Sequence, residues 1–553
     1  MRSIVAAISG LLIAAGLAAF AAADAPGGGE LVRGRVTSGG EPVPGAMVRF
    51  QAHGEAVVAD AAGSFALPVT VAVLAIASEL GGELRITAAK EGFYNQRRRY
   101  RGDGAEVIFD LLPIPADHGD YPWQDPTPDP ASETSCGNCH SDFYAQWLGD
   151  AHSRSAVNPL VTTLYNGTDV DGRPAGAGYR GDWPDFGPCA DCHAPAAAAN
   201  DKLDLNLLHG VEKLGVSCDF CHKIREVRLN PRFASSAELV VSRPQGDAKL
   251  VFGPFDDAIF PGDVPDFSFA PWFSDSRVCA PCHDGSFMGV PVYATFSEWR
   301  QSAYAARGTQ CQDCHMRPAG LSRFADEEDG GLLRDAADIS SHRTMGPDPE
   351  ALLRSAVTME TEAEARGRNL AVTVTITNSG AGHHLPTGQP LRHMLLVVSA
   401  RDARGEPLRM LFGERVPSWG GDLAGRIGKG FAKVLLAASE YNRSNVLVQG
   451  DTKGDFPAPF WRRPKILTDN RIPAEASDTS QFLFRLPEEN AAVEVRAELI
   501  YRRAYQDLAE IKGWELLDVL LAADTVQLDH AGEPLAAAAA AEAHSAGGEK
   551  VRR

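Results

Sequence analysis

After residue 22 the chain has no apolar run of the roughly 20 residues needed to cross a bilayer. It also lacks a basic excess: 53 Lys and Arg stand against 72 Asp and Glu, a formal net charge of −19. Neutralising phosphates requires the opposite sign, so general nucleic-acid binding is excluded. Cysteine is missing from everything before Cys136, which excludes a lipid-modified cysteine behind the N-terminal segment. No cysteine is left unpaired in the pattern, and no Cys-x-x-Cys-Lys occurs.

What remains is an ordinary globular composition, 44% hydrophobic and 23% charged, which excludes collagen-like, wholly disordered and polytopic membrane classes. At about 150 residues per domain the 553 residues predict three or four domains. The 54 glycines and 36 prolines predict a turn-rich, partly β chain. Met1-Arg2-Ser3, the apolar stretch Ile4 to Ala22 and the small residues Ala21-Ala22-Ala23 before Asp24 have the layout of a secretory signal, expected over 1–23. An exported mature protein with no integral membrane segment follows.

The ten cysteines form five Cys-x-x-Cys pairs: Cys136/Cys139, Cys189/Cys192, Cys218/Cys221, Cys279/Cys282 and Cys311/Cys314. Each is followed by histidine, namely His140, His193, His222, His283 and His315. With 15 histidines in the chain, five such coincidences would arise by chance about once in 10⁸. Residues i, i+3 and i+4 share one side of a helical turn. Two thiols can therefore form thioethers to one porphyrin while the histidine ligates its iron. Zinc sites of four thiolates leave a remainder from ten, and zinc, thioredoxin-like motifs and plain disulfides all leave the histidines unexplained. Five covalent haem c groups are expected.

A second axial ligand decides between electron transfer and chemistry at each iron. Setting aside His53, His530 and His544, the candidates are His118, His152, His209, His342, His383, His384 and His393. His152, His209, His342 and His383 are the chosen distal ligands. His152 follows the helical face Tyr144, Trp147, Leu148, Ala151, and His383 lies in the turn-rich Gly380-Ala381-Gly382-His383-His384-Leu385-Pro386-Thr387-Gly388. Met316 and Met345 are alternative ligands. Tyr144-x-x-Trp147-x-x-Asp150-x-His152 is echoed by Phe296-x-x-Trp299-x-x-Ser302-x-Tyr304. Tyr304 is then either an aromatic packed on a porphyrin edge or the mark of an iron without a distal histidine.

The expected architecture is multidomain. Short alternating segments around Gly34–Val36, Glu41–Val48, Asp60–Phe65, Leu84–Ala88 and Val107–Phe109 predict a small β-sandwich over 28–112. Six prolines between Pro113 and Pro130 predict an extended linker, 113–132. A mostly α or irregular haem segment, 133–346, shows little apolar periodicity. Beyond a helical patch near Glu350 to Val357, the alternation of Asn369 to Asn378, with Met394 to Val398, Gln481 to Leu486 and Val493 to Tyr501, predicts a second sandwich. With a terminal helix over Ala504 to Ala522 that domain spans 360–525. The alanine-rich tail 533–553 is expected to be disordered.

These residues resemble the cytochrome c554-like multihaem c-type cytochromes over about 120–520. The resemblance rests on the five Cys-x-x-Cys-His motifs, Tyr144-x-x-Trp147 with His152, Gly215-Val216-Ser217-Cys218-Asp219-Phe220-Cys221-His222, Cys311-Gln312-Asp313-Cys314-His315-Met316, and Gly382-His383-x-x-Pro386-Thr387-Gly388. Residues 30–112 resemble the carboxypeptidase regulatory-like β-sandwich. The first resemblance implies mostly bis-histidine haem c and electron transfer in the periplasm or at the cell surface, with redox proteins as partners. Asp150, where serine is usual, and Tyr304 depart from the pattern. The functional expectation is a pentahaem electron carrier. An oxidoreductase acting on a small nitrogen or sulfur compound at one open haem is the alternative, and a surface protein self-associating through its sandwiches is a third reading.

Overall fold

A computed structural model describes residues 30–79, 84–132, 135–229, 237–246, 248–260, 265–437, 459–462, 464–487 and 492–529. The expected signal segment, the tail 533–553, His530 and His544 lie outside the described residues. The chain divides into two units. One comprises the residues up to Ile114 together with Phe255–Ala270, and the other comprises Pro115–Pro254 together with the chain from Pro271 onward.

In the first unit, strand Leu31–Ser38 pairs with Glu41–Pro42, with Ser64–Pro68 and, in parallel, with Val107–Asp110. A second sheet has the order His53–Val58, Met47–Phe50, Arg85–Ala89, Gln96–Arg99. Alternation drives both: Val32 and Val36 are buried in Leu31–Ser38 while Arg33 and Arg35 are exposed. Val36, Phe65, Leu67 and Phe109 of the first sheet share one apolar cluster with Val48, Phe50, Ile86 and Ala88 of the second. Gly34 is required by close approach, because a Cβ there would lie 2.1 Å from the Val107 carbonyl oxygen. The helix Val71–Glu79 and the strands His53–Val58 and Gln96–Arg99 were not legible as elements in the sequence.

The haem segment lends sixteen residues to this unit. Asp257, fully buried, accepts from the Ala52 amide at 2.6 Å, and its carbonyl accepts from Gln51 Nε2 at 3.1 Å. Asn95 Nδ2 donates to the carbonyls of Phe255 and Ala258, while its Oδ1 accepts from the Phe269 amide. The expected boundary at 112 is therefore corrected: Phe255–Ala270 completes the N-terminal unit.

In the second unit, residues 115–132 are extended but packed, not a free linker. Tyr121 and Trp123 are buried, and Asp219 accepts from the Gln124 amide at 2.9 Å. Gly137 Nα donates to the Pro126 carbonyl. From Cys136 to Gly346 no helix among the described residues exceeds eight residues, in line with the weak periodicity.

The C-terminal part is two antiparallel sheets. Their orders are Val357–Arg366, Asn369–Asn378, Ser477–Arg485, Met410–Phe412, and Pro464–Asp469, Gly428–Ala437, His393–Asp402, Val493–Arg502, Val519–Leu528. Leu370, Val372, Val374 and Ile376 of one pack against Leu396, Val398, Ala497 and Leu499 of the other. The expected terminal helix is corrected. It covers only Gln506–Lys512, ends at Gly513 in the left-handed region, and Val519–Leu528 is a strand paired to Val493–Arg502. Cross-strand pairing there outweighs the helix propensity of leucine and alanine. Phe484 is fully buried in this core. Phe484→Ala is expected to cost about 3–5 kcal/mol, measured as a lower urea midpoint with an unchanged slope.

Candidate functional site

All five Cys-x-x-Cys-His stretches fold as single helical turns: Cys136–Cys139, Cys189–His193, Cys218–Cys221, Ala280–His283 after a 3₁₀ turn ending at Cys279, and Cys311–His315. Local caps start several of them. Ser217 Oγ accepts from the Phe220 amide, Gln310 and Asp313 form a reciprocal cap, and Asp275 accepts from the Arg277 amide. None of the ten cysteines is joined to another in a disulfide. Among the described residues no group of three or more His, Cys, Asp or Glu gathers as a metal ion alone would need.

The motifs adjoin one another. Cys136 is within hydrogen-bond reach of Cys218, Cys279 of Cys311, and Cys192 of Cys282. The sequence echo is also structural. Trp147 Nε1 donates to the Val216 carbonyl and Trp299 Nε1 to the Thr309 carbonyl, each at 2.9 Å. Each acceptor lies two residues before a motif cysteine, Cys218 or Cys311. The ring pairs Tyr144–Trp147 and Phe296–Trp299 match as well, at 5.8 Å and 43° against 5.5 Å and 35°. Motifs one and three thus stand to each other as motifs four and five do.

Three histidines outside the motifs face motif histidines. The ring centroids are 6.2 Å apart for His152–His283, 6.4 Å for His222–His342 and 6.4 Å for His315–His383. Metal–imidazole bonds of about 2.0–2.1 Å, with about 1.1 Å from nitrogen to ring centre on each side, set two coaxial rings about 6.2–6.4 Å apart. The residues present fit an iron between each pair. The interplanar angles differ: 82° for His152–His283 against 26° and 23° for the other two.

In five of the imidazoles Nδ1 is engaged, which leaves Nε2 as the nitrogen for a metal. His222 Nδ1 meets the Phe252 carbonyl at 2.7 Å, His315 Nδ1 the Thr344 carbonyl at 2.8 Å and His383 Nδ1 the His384 carbonyl at 3.0 Å. His140 Nδ1 meets the Phe324 carbonyl. His152 Nδ1 lies 2.9 Å from Asp150 Oδ1. Burial pushes His283 down to about 3 and His342 to about 4, and lowers His193, His222 and His383. These imidazoles are neutral, the form that binds metal. Burial alone would raise the Asp150 carboxyl, but hydrogen bonds from His152 and Thr344 outweigh it and hold Asp150 at about 2.

Other candidates stand elsewhere. His209 is exposed, forms a reciprocal cap with Glu212, and among the described residues faces no motif histidine. His393 is a core residue, stacked on Tyr505 at 4.8 Å with Nδ1 at the Leu391 carbonyl. His118 is tied by its amide to the Arg243 carbonyl. Tyr304 is a packing residue: a Cβ on Gly382 would lie 3.2 Å from its Cβ, its hydroxyl donates to the Ser379 carbonyl at 3.3 Å, and Arg307 lies over its ring. Among the described residues no histidine ring stands opposite His140 or His193 at iron-spanning distance.

A buried polar network, not visible in the sequence, carries the His383 loop. Glu298 Oε1 accepts from Arg471 at 2.6 Å, and its Oε2 accepts from Thr387 Oγ1 at 2.6 Å and from the His384 amide at 3.3 Å. Arg471 also grips Asp469 through two bonds of 2.7 and 2.8 Å. The Glu298 and Arg471 side chains are 6% and 4% exposed, so removing one strands a buried charge. Arg471→Leu is expected to destabilise by about 3–5 kcal/mol, and Glu298→Leu with Arg471→Leu by less, in urea titrations.

Residues 135–223, which carry the first three motifs, match the family profile described as cytochrome c554 and c-prime. In fold, the chain is similar to the crystal structure of a penta-heme cytochrome c552 from Thermochromatium tepidum, with a TM-score of 0.50 and 24% identity over 72% of this chain and 97% of that one. The chain thus resembles a multihaem c-type cytochrome. No curated protein matches it.

Proposed function

We propose that this chain is an exported pentahaem c-type cytochrome that carries electrons through closely spaced haems. Thioether bonds would join each porphyrin to Cys136/Cys139, Cys189/Cys192, Cys218/Cys221, Cys279/Cys282 and Cys311/Cys314 within the stretch 133–346, apart from Phe255–Ala270, which belongs to the N-terminal unit. His140, His193, His222, His283 and His315 would ligate the five irons. His342, His152 and His383 would complete the third, fourth and fifth. The observation that carries this reading is the repeated 6.2–6.4 Å spacing of facing imidazoles. The haems supply the one-electron chemistry. The polypeptide fixes their spacing, covers them and orients each axial nitrogen.

The N-terminal unit, with two four-stranded sheets on one core, is read as a carboxypeptidase regulatory-like sandwich. It is assigned no chemistry of its own. The reading includes a cleaved signal and delivery to the periplasm or cell surface.

One observation favours a second reading, an oxidoreductase at an open haem: His140 and His193 lack a facing histidine among the described residues. An open iron would then lie at the first or second motif, not beside Tyr304. The discriminating result is a high-spin ferric signal that responds to cyanide or nitrite; wholly low-spin, unresponsive spectra remove this reading.

A pyridine haemochrome assay combined with the mass of the matured chain is expected to count five haems and loss of residues 1–23. In electron paramagnetic resonance, nearly perpendicular imidazoles leave the ferric dπ orbitals close to degenerate, and nearly parallel ones separate them. One highly anisotropic low-spin signal is expected from the His152–His283 iron and two rhombic ones from the other pairs. His152→Ala is expected to abolish the anisotropic signal, and His342→Ala or His383→Ala one rhombic signal each. At net charge −19, the second-order rate of electron transfer to a basic partner is expected to fall as salt rises. A rate indifferent to ionic strength would contradict it.

A further inference from the structure

Asp150 engages more of the axial ligand set than any sequence pattern implied. Its carboxylate is buried, and both oxygens are used. Oδ1 lies 2.9 Å from His152 Nδ1 and accepts from the His152 amide at 3.0 Å. Oδ2 accepts from the Thr344 amide at 2.8 Å and from Thr344 Oγ1 at 2.9 Å. The carbonyl of that same Thr344 is the acceptor for His315 Nδ1 at 2.8 Å. One helical turn earlier, Gln146 Oε1 accepts from the amide of His342 at 2.8 Å. The stretch from Gln146 to His152 therefore touches ligands or ligand loops belonging to three different motifs.

An Asx turn explains the first oxygen and nothing more. The second oxygen reaches 194 residues along the chain. It holds the peptide whose carbonyl orients a motif histidine.

We propose that Asp150 is a positioning residue that lowers and links the reduction potentials of two haems, those of the fourth and fifth motifs. This rests on the axial assignments made above. A carboxylate accepting from the outer N–H of a ligating imidazole raises the basicity of the ligating nitrogen. It also places negative charge beside the iron in a poorly solvated interior, which favours the ferric state. For the fourth motif the link is direct, through His152. For the fifth it is one residue longer: Asp150 fixes Thr344, and the Thr344 carbonyl fixes and polarises His315. Serine at this position could accept from His152 but carries no charge and cannot bind the Thr344 donors through a second oxygen.

The test is a redox titration of the haem-loaded full chain followed by electron paramagnetic resonance. The anisotropic signal reports the fourth motif, and the rhombic signal lost in His383→Ala reports the fifth. Asp150→Asn is expected to shift both equilibria toward the ferrous form, the fourth by about tenfold, which for one electron is about 59 mV. Asp150→Glu, which restores the charge, is expected to return the fourth-motif equilibrium toward that of the unaltered chain. Thr344→Val removes only the hydroxyl contact, so it should shift the fifth by about threefold and leave the fourth unchanged. This variant decides the matter if Asp150→Asn fails to accumulate with haem. If His152→Ala removes the anisotropic signal but Asp150→Asn shifts neither haem, or Thr344→Val shifts the fourth and not the fifth, the proposal is overturned while the ligation stands. If the anisotropic signal survives His152→Ala, the ligation assignment itself has failed.

Discussion

Three pairs of imidazoles face one another about six ångströms apart, and the polypeptide that holds them there has little regular scaffold of its own. Among the described residues from Cys136 to Gly346 there are no long helices to do this. What the region has is a set of acceptors, mostly backbone carbonyls, aimed at Nδ1 of ring after ring. A side chain anchored at one nitrogen and adjoining a motif cysteine in a short helical turn has little freedom left. Precision in this region comes from many short tethers, and a β scaffold is recruited for the one facing imidazole that comes from the C-terminal sheets.

His383 is the case in point. It comes from the C-terminal β domain, at the end of the long strand Asn369–Asn378. Asn378 closes the following loop on itself: its Nδ2 donates to the carbonyls of His383 and Ile472, and its Oδ1 accepts from the Ala381 amide. Glu298 and Arg471 clamp the other side of the loop. Within this unit the β domain is more than a spacer, since one of its loops presents an imidazole to the fifth motif. Two extended sheets with a well-packed core make a stiff mount for a single imidazole-bearing loop.

The motif turns were legible because their chemistry demands a local spacing, and the strand Asn369–Asn378 because one face is buried and the other is not. Of the distal histidines, those in recognisable contexts, such as His152 behind an aromatic helical face and His383 in a glycine-rich turn, do face motif histidines. His209 had only a hydrophobic neighbourhood to recommend it, and a helix cap accounts for it equally well. Pairings between distant stretches, such as His152 with His283 or Asp150 with Thr344, leave no periodic trace. The run from Val519 read as helix because leucine and alanine favour one in isolation, while an available sheet edge is a property of the folded molecule alone. The echo around Trp147 and Trp299 was visible, but its meaning lay in two carbonyls whose positions depend on the motifs that follow.

The return of Phe255–Ala270 to the first unit has a consequence for the order in which the molecule can be finished. Asp257 and the carbonyls that satisfy Asn95 emerge only after three of the five Cys-x-x-Cys-His stretches have been made. The earliest-synthesised domain is thus among the later ones to be completed, and a fragment cut at residue 114 would leave its own buried amides waiting for partners. Any expression of this domain in isolation has to supply that returning segment, as a tethered or added peptide.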